Sequence, residues 1–456
     1  MTRTVIDSMG SLTVPDNAWW GAQTQRAVDN FAISGRRMPA GFLIAMLHIK
    51  SAAAKSNADL GLLDGDKAAA IQDACQQLLH AMPLEQFPVD MFQTGSGTSS
   101  NMNVNEVIAT CCEQAGVSVH ANDHVNLGQS SNDTVPTAIH VSAAVAVNRQ
   151  LLPAIDTLMS AMDRHISAGE TQIKTGRTHL MDAMPMTVGQ EWQTWQAQLR
   201  HCREILIQSV DNLRAIPQGG TAVGTGINAH PQLAERIAKQ LSDDTGMVFR
   251  PLLLPFVAQS SLDVPLQLSA ALRGLAVVMT KLCNDLRWMN SGPLYGLGEV
   301  QMPAVQPGSS IMPGKVNPVI CESALMVSAQ VIGLDQANTV AAQSGNFQLN
   351  VMMPLVATNL LDMVSWLANS CSNLADKAIN TLQINHHKLA DGVRKNPVLV
   401  TALNPLVGYE KAAEIAKVAL RDQRDVLSVA EEMTDIDRQT LADALDPQKM
   451  VHGERV

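Results

Sequence analysis

The sequence predicts a mainly α-helical fold built around long bundle helices, and three observations support this fold class. Apolar residues recur in alternating steps of three and four along five segments, the spacing of helices that pack against other helices. Aromatic residues make up only 3% of the chain, whereas sheets favour aromatic and β-branched residues. The chain also contains 23 methionines, whose flexible side chains fill gaps between packed helices.

The five predicted bundle helices each carry a continuous apolar stripe. The stripes run through residues 268–289, 188–213, 152–166, 320–334 and 356–367. Each helix would contain about 25–35 residues and would therefore be roughly 40–50 Å long at about 1.5 Å per residue. Helices this long and apolar cannot all be covered within one five-helix bundle, so we expect the chain to form a homo-oligomer.

The 456 residues exceed what one compact core usually holds, so two or three subdomains are expected. Residues 1–129 contain shorter helical patterns, near 41–60 and 66–82, and form a predicted N-terminal mixed, mostly helical domain. Residues 130–354 form the predicted central long-helix bundle domain. Residues 355–456 begin with the fifth bundle helix and continue into short helices, which predicts a small C-terminal helical domain.

Composition and motifs exclude several classes of function. The net charge of −10 argues against nucleic acid or an anionic membrane surface as partner, although a small anionic substrate responds to local charge. The seven cysteines show no metal-ligand spacing, which predicts reduced thiols in an intracellular protein. Neither a signal-peptide core nor a run of about 20 apolar residues is present, so we predict a cytoplasmic protein without a membrane span.

Nucleotide cofactors are not expected either. The phosphate-binding pattern GxxxxGK[ST] is absent, and the glycines of residues 219–226 lie between helical patterns rather than after a strand. Close backbone packing or approach of a ligand is the better interpretation of these glycines. We therefore predict that the protein uses no cofactor.

Four polar clusters are predicted at or near helix starts, where unpaired N–H groups and the helix dipole attract anions. They comprise residues 95–101, 129–133, 176–179 and 308–318. Ordinary helix capping explains any one of them. If the bundle helices start at the same end, however, the clusters would converge on one carboxylate-sized pocket.

The segment 308–318 is the most informative of these clusters. It reads Gly-Ser-Ser-Ile-Met-Pro-Gly-Lys-Val-Asn-Pro and immediately precedes a helical pattern. Asn317 is its predicted N-cap and Pro318 its first helical residue, so Lys315 would lie two residues before the positive helix end. Such a loop combines a mobile proton acceptor with a fixed anion clamp.

Two further side chains are candidates for proton transfer. His179 lies in a polar stretch rather than on an apolar face, and imidazole exchanges protons near neutral pH, although single histidines are often structural. Glu322 is placed to orient an imidazole, but a solvated glutamate in the first helical turn would look the same. His386 and His387 have no acidic or cysteine partner at ligand spacing, so we interpret them as surface residues and predict no metal site.

The segment 308–318 resembles the signature of the fumarase/aspartase superfamily of lyases. Further similarity extends over nearly the whole chain, at residues 20–26, 95–106, 130–133, 176–191, 219–226, 284–287 and 344–347. Within the superfamily the chain is most similar to class II fumarases, because aspartases usually place glutamine after Thr178, where this chain has His179. The resemblance implies a three-domain fold and a homotetramer built on a 20-helix core, with each active site assembled from three chains.

The resemblance also implies an activity, namely the metal-independent, reversible anti addition of water to fumarate, giving L-malate in the tricarboxylic acid cycle. Ser309 is implied as the base that removes the C3 proton. His179, paired with Glu322, is implied as the acid side acting through a bound water. Lys315 and Asn317 would stabilise the aci-carboxylate carbanion between the two steps.

The remaining implied residues bind the substrate or another anion. The substrate-binding set is Ser96, Thr98, Ser130, Ser131, Asn132, Thr178, Lys315 and Asn317. His120, Asn122 and Asp123 match an accessory anion site of the family, although an asparagine–aspartate pair is also typical of a simple turn.

Two alternatives remain open. An ammonia-lyase acting on aspartate or a related C4-dicarboxylate would share the base and the clamp but differ in its leaving-group contacts, and His179 discriminates between the two. A non-catalytic structural or binding protein on the same fold would be expected to lose Ser309, His179 or Lys315. All three residues are present.

Overall fold

The computed structural model describes residues 1–451, which are mainly helical. The helices are α1 Ala22–Asn30, α2 Ala40–Asp59, α3 Gly65–Ala81, α4 Thr98–Gln114, α5 Ser131–Ala146, α6 Leu152–Gly169, α7 Val188–Leu213, α8 Leu233–Thr245, α9 Phe256–Ser260, α10 Asp263–Met289, α11 Val319–Ala342, α12 Met353–Leu374, α13 His386–Arg394, α14 Asn404–Val407, α15 Tyr409–Asp422, α16 Val426–Met433, α17 Arg438–Ala444 and α18 Pro447–Met450. The predicted mainly α-helical class is therefore confirmed.

The strands are short and pair two by two. They are β1 Thr2–Asp7, β2 Gly10–Pro15, β3 Ile173–Thr178, β4 Met181–Thr187, β5 Ala215–Ile216, β6 Arg250–Pro251, β7 Val300–Gln301 and β8 Gln383–Ile384. The β5–β6 pair is parallel, and the β1–β2, β3–β4 and β7–β8 pairs are antiparallel.

The predicted apolar stripes account for the burial of α7, α10 and α12, whereas Ile320, Val327 and Leu334 of the α11 stripe are only half-buried. Every stripe residue of α10, from Leu268 to Met289, is at most 5% exposed, and the stripes of α7 and α12 are buried as well. Along α6 the predicted stripe is partly wrong, because Leu158 and His165 are buried while Met159 and Ile166 are only half-buried. The buried positions 152, 155, 158, 162 and 165 follow steps of 3, 3, 4 and 3, whereas the predicted stripe alternates steps of 3 and 4. Both spacings approximate the 3.6-residue period of an α-helix, so the apolar pattern alone does not distinguish them.

The described residues form two compact units. The first comprises residues 1–153, 202–276 and 327–368, and the second comprises 154–201, 277–326 and the chain from 369 onward. In the first unit α2 packs against α3, α5 and α8. In the second the β3–β4 hairpin packs against α13, and a small apolar core of residues 399–445 holds the C-terminal helices together. The three predicted domains remain a prediction.

Two findings bear on the predictions about membrane spans and cysteines. Within residues 1–451, α10 is the one helix long and apolar enough to cross a membrane, and half of its apolar window is buried inside the protein, as in a bundle helix. All seven cysteines are buried free thiols, which confirms that none forms a disulfide in this chain.

Candidate active site

In the first unit, the cluster at residues 130–133 caps α5, as predicted. Ser130 Oγ accepts a hydrogen bond from the backbone N–H of Asn132 at 3.2 Å. In return, Asp133 Oδ1 accepts from the backbone N–H of Ser130 at 2.9 Å. This reciprocal capping box fixes the conformation of the helix start, which also carries the buried hydroxyl of Ser131.

The start of α4 lies beside this cap. Gly97 precedes the helix with a φ of +75°, and a Cβ added there would meet the Val135 side chain of α5 at 2.8 Å. Glycine therefore permits both the left-handed backbone and the close approach of the two helices. Ser96 Oγ and Thr98 Oγ1 share a hydrogen bond of 2.8 Å at this point.

Side-chain hydrogen bonds join these two helix starts to the glycine-rich loop of residues 219–226. Asn101 Nδ2 donates to Ser131 Oγ at 3.0 Å, which links α4 to α5. Asn132 Nδ2 donates to the carbonyl of Ala222 at 2.8 Å. Asp133 Oδ2 accepts from the backbone N–H groups of Gly219 and Thr221. A Cβ added at Gly219 or Gly220 would lie 2.7 or 2.6 Å from the side chain of Ala234 or Pro255, so close packing, one of the two interpretations of these glycines, is confirmed.

The carboxylate of Asp133 is fully enclosed by this arrangement. Burial raises its pKa, while the backbone N–H groups of Ser130, Thr221 and Gly219 oppose the shift by stabilising the charged form. Since three segments converge on this one carboxylate, it holds the helix-start cluster together. The first unit therefore brings together the predicted substrate-binding residues Ser96, Thr98, Ser130, Ser131 and Asn132.

The proposed accessory residues lie a few positions earlier, on an exposed π-helical turn. His120 Nδ1 accepts from the backbone N–H of Asp123 and lies 3.1 Å from its carboxylate. His120, Asn122 and Asp123 are all exposed. The turn is held locally, because His124 Nδ1 accepts from the backbone N–H of His120.

In the second unit, the loop 308–318 is closed at its base. The backbone N–H of Gly308 donates to the carbonyl of Lys315 at 2.9 Å, and Asn317 Nδ2 donates to the carbonyl of Gly308 at 2.7 Å. A Cβ at position 308 would lie 2.4 Å from the Lys315 carbonyl, so glycine is required by this close approach. The predicted capping role of Asn317 is wrong: α11 begins at Val319, and the Asn317 amide closes the loop instead.

Ser309 lies inside this loop. Its Oγ accepts hydrogen bonds from the backbone N–H groups of Ile311 and Met312, both at 3.2 Å. Two N–H donors converging on one oxygen stabilise negative charge there, as in an oxyanion hole. Ser309 is partly exposed, whereas the Ile311 side chain beside it is 83% exposed.

The far end of the loop opens into a large cavity within the second unit. The cavity has a volume of about 1190 Å³ and is lined by Lys315, Asn317 and Glu322, three residues predicted from the sequence. It is also lined by Arg287 and Lys388, two cations that sequence reasoning did not assign to the site. Arg287 falls within the resemblance at residues 284–287, whereas Lys388 lies outside every segment of resemblance. Positive side chains outnumber the one carboxylate, which favours a dianionic ligand.

The sequence predicted Thr178 and His179 at or near a helix start. This prediction is wrong, because both lie at the tip of the β3–β4 hairpin. Thr178 pairs with Met181, so His179 and Leu180 form a two-residue loop. Both have positive φ values, +56° and +61°, which is the geometry of a type I′ turn. The loop presents His179 to solvent, and a non-glycine residue held at positive φ often marks a functional site.

A buried ionic network anchors this hairpin. Lys174 Nζ donates to Glu191 at 2.6 Å and to Glu299 at 2.8 Å, and Arg177 donates to the second oxygen of Glu299 at 2.6 Å. Burial raises the pKa of Glu299, but the contacts with Lys174 and Arg177 outweigh burial and lower it overall. For Glu191 burial prevails and raises the pKa, helped by the negative charges of Glu299 and Asp285, although the contact with Lys174 opposes the shift. Because Arg177 directly precedes Thr178, its ion pair with the buried Glu299 holds this end of β3 in place.

The structure does not bring all predicted residues together. His179 and Glu322 share no hydrogen bond or ion pair among the described residues, so their pairing remains a prediction. His386 and His387 are exposed at the start of α13, as interpreted from the sequence. Within residues 1–451 no group of three histidine, cysteine or carboxylate side chains is arranged to hold a metal ion.

Comparison with known families agrees with this geometry. Residues 10–333 match the family described as lyase, and residues 399–452 match the family described as fumarase C C-terminus. The chain is 54% identical to fumarate hydratase class II 2 of Pseudomonas aeruginosa, covering 99% of both chains. It is 52% identical to a fumarate hydratase class II of Xylella fastidiosa, covering 98% of this chain and 95% of the relative.

Solved structures give the same result. Recombinant class II fumarase from Schistosoma mansoni superposes with a TM-score of 0.96 at 36% identity, covering 99% of this chain and all of the other. A protein described as fumarate lyase:delta crystallin from Brucella melitensis gives a TM-score of 0.94 at 41% identity, with the same coverage. Because sequence and fold agree over the full length, the chain belongs to the class II fumarase family of lyases.

Proposed function

We propose that the protein catalyses the reversible hydration of fumarate to L-malate, as a cytoplasmic step of the tricarboxylic acid cycle. The observation that carries this proposal is the loop 308–318. At one end, two backbone N–H groups converge on Ser309 Oγ. At the other end, Lys315 and Asn317 line a cationic cavity. A base and a carboxylate clamp are thereby held a few residues apart, as proton removal next to a carboxylate requires.

In the direction of dehydration, Ser309 Oγ as the alkoxide removes the C3 proton of malate. The C–H electron pair moves into the adjacent carboxylate and gives an aci-carboxylate carbanion with two negative charges on that group. Lys315 and the side-chain amide of Asn317 would stabilise this charge. The N–H groups of Ile311 and Met312 stabilise the alkoxide that begins the step.

In the second step the C2 hydroxyl leaves. His179, oriented by Glu322 and acting through a bound water, would protonate the departing oxygen, so that water and fumarate are the products. Hydration follows the reverse path. Thr178 and the helix-start residues Ser96, Thr98 and Ser130–Asn132 would bind the substrate, since hydroxyl, amide and backbone N–H donors suit carboxylate oxygens.

We further propose that the chain acts as a homotetramer in which three chains contribute to each active site. Helix α11 supports self-association, because it exposes Met326 (68%), Ile332 (40%) and Val340 (45%) although it is a long apolar helix. Light scattering of the purified protein should give four chain masses. A monomer that retained full activity would contradict the shared site.

The activity is tested by following the ultraviolet absorbance of the fumarate double bond, first with malate and then with aspartate as substrate. We expect fumarate to form from malate and not from aspartate. Release of ammonia from aspartate without turnover of malate would instead identify an ammonia-lyase. No turnover of either substrate would favour a non-catalytic protein.

A further inference from the structure

Lys50 is a fully buried lysine that the proposed mechanism does not use. It lies on α2 in the first unit and is 0% exposed. Its Nζ donates to Asn126 Oδ1 at 2.8 Å and to Gln129 Oε1 at 3.0 Å. Among residues 1–451 no carboxylate lies within ion-pair distance of it. Burying an ammonium without a carboxylate partner is costly, so the position calls for an explanation.

The amide partners of Lys50 lead directly to the helix-start cluster. Asn126 Oδ1, which accepts from Lys50, also accepts from Asn101 Nδ2 at 3.2 Å and from Asn105 Nδ2 at 3.3 Å. Asn101 Nδ2 in turn donates to Ser131 Oγ at 3.0 Å. Lys50 is therefore connected, through the half-buried amide of Asn126 and the buried amide of Asn101, to a hydroxyl in the predicted substrate-binding set.

Unpaired oxygens line the same region. Asn101 Oδ1 and Asn105 Oδ1 are buried and have no hydrogen-bond partner. Carboxamide oxygens carry partial negative charge, so they favour a cation nearby over a neutral side chain. Lys50 Nζ thus contacts the side-chain oxygens of Asn126 and Gln129, and Gln129 lies two residues before the first residue of α5.

We propose that Lys50 is a positioning residue for the dicarboxylate substrate: it fixes the segment Asn126–Ser131 and adds buried positive charge behind the N-terminus of α5. This inference rests on the proposed function of residues 130–132 in binding the substrate. The charge adds to the helix dipole and attracts a carboxylate bound at the cap. The hydrogen bonds keep Ser131 in place.

The ionisation of Lys50 gives this inference a distinctive signature. Burial lowers its pKa to about 7, while Asp133 on α5 and Cys75 on α3 oppose the shift. From α4, the neutral amides of Asn101 and Asn105 join the same hydrogen-bond network at Asn126. The ammonium is therefore present below about pH 7 and lost above it. Binding of a dicarboxylate should weaken as the pH rises through that value.

The test measures binding of succinate, an unreactive C4 dicarboxylate, by titration calorimetry between pH 6 and pH 8. Lys50→Met should weaken binding roughly 10-fold at pH 6, since it removes one nearby positive charge, and should abolish the pH dependence. In turnover, KM should rise while kcat changes far less. Lys55→Met is the matched control, because Lys55 lies on the exposed face of the same helix and should leave binding unchanged.

A second variant keeps the test decisive if Lys50→Met does not fold. Asn126→Asp places a carboxylate 2.8 Å from Nζ with nearly the same shape, which raises the pKa of the lysine. The pH at which succinate binding weakens should then move upward by about one unit. A purely structural role for Lys50 would leave this pH unchanged.

Unaltered succinate binding and pH dependence in Lys50→Met, or an unmoved pH dependence in Asn126→Asp, would overturn the inference. The calorimetric readout does not depend on turnover. If the wild-type protein bound succinate in this Lys50-dependent way but did not interconvert malate and fumarate, the proposed hydratase activity would fail while the role of Lys50 would stand.

Discussion

The candidate site residues of the first unit and those of the second unit are held in different ways. In the first unit, the cluster at residues 130–133 is held by a capping box, by hydrogen bonds from two other segments and by a fully buried aspartate. In the second unit, Ser309 has hydrogen bonds only within its own loop. The exposure differs accordingly, with Ser131 at 9% and Ile311 at 83%.

This difference matches the different demands of the two proposed steps, carboxylate binding and proton transfer. Carboxylate binding needs donors fixed before the substrate arrives, and the rigid helix starts of the first unit suit this proposed role. Proton transfer needs a base that is shielded from water only during the reaction, so an exposed loop and a hairpin tip are suitable carriers. We therefore expect substitutions of Ser309 and His179 to affect turnover, and those at the helix starts of the first unit to affect binding.

The largest effect is expected at Ser309. Replacing Ser309 by alanine removes the proposed base while leaving the Gly308–Lys315 closure of the loop intact. Turnover of malate should fall by about 10³-fold or more, since a positioned base contributes on this order. Steady-state kinetics with malate, together with circular dichroism to verify folding, measures this effect.

Ser310→Ala is the matched control for Ser309. Ser310 is the adjacent, exposed hydroxyl of the same loop, and its loss should change turnover only slightly. Near-normal activity of Ser309→Ala, or an equal loss in both variants, would rule out Ser309 as the base.

A smaller loss of turnover is expected at the hairpin tip. His179→Asn keeps a residue that tolerates positive φ but cannot transfer a proton. We expect kcat to fall roughly 10²-fold with little change in KM, the lower end of what general acid catalysis contributes. His387→Asn, an exposed histidine outside the site, is the control. A large rise in KM at unchanged kcat would move His179 from proton transfer to substrate binding.

The anchoring of the hairpin can be tested separately through stability. Glu299→Gln leaves Lys174 and Arg177 without their shared charge but retains one acceptor oxygen, so the free energy of unfolding should fall by about 2 kcal/mol. Denaturant unfolding at pH 7 measures this loss. Gln301 lies two residues after Glu299, at the end of β7, and is exposed. Its replacement by alanine is the control.

The pH dependence of this effect has a defined sign. The pKa of Glu299 is lowered in the folded protein from an ordinary value of 4.5, so its ionic contribution is fully present above that pH. It is lost as the pH falls through the lower, folded pKa. The stability difference between wild type and Glu299→Gln should therefore shrink in acid. A difference that stayed constant down to pH 3 would show that packing, rather than charge, is responsible.

The same contrast explains what the sequence could predict. The burial of α10 and the cap at Ser130 follow from local patterns, namely the spacing of apolar residues and a hydroxyl three positions before an acid. The β3–β4 hairpin was missed because a single short hairpin inside a helical chain gives little periodic signal. Its one local indication is the short alternation of Met184 and Met186 with Pro185 and Thr187.

The residues that depend on tertiary contacts could not be predicted at all. Lys50 lies in an apolar helical segment, and nothing in the neighbouring sequence shows that Asn126 and Gln129 reach it. Lys388 lies about 70 positions from Lys315 in the chain, yet both line the same cavity. Such pairs arise only when distant segments are packed together, and sequence patterns describe single segments.

The smallest effect is expected at the accessory turn, which tests whether the contrast between binding and turnover extends to the surface. His120→Asn removes an exposed side chain whose contacts are confined to its own turn, so stability should change by less than about 0.5 kcal/mol. If His120 only helps to attract the dicarboxylate to the first unit, kcat should be unchanged and KM should rise less than about 2-fold. The rise in KM should be largest at low ionic strength, because salt screens the attraction between charges. Kinetics at low and high salt measures this. A loss of kcat at both salt concentrations would mean that the turn takes part in the reaction itself, and that the first unit does more than bind the substrate.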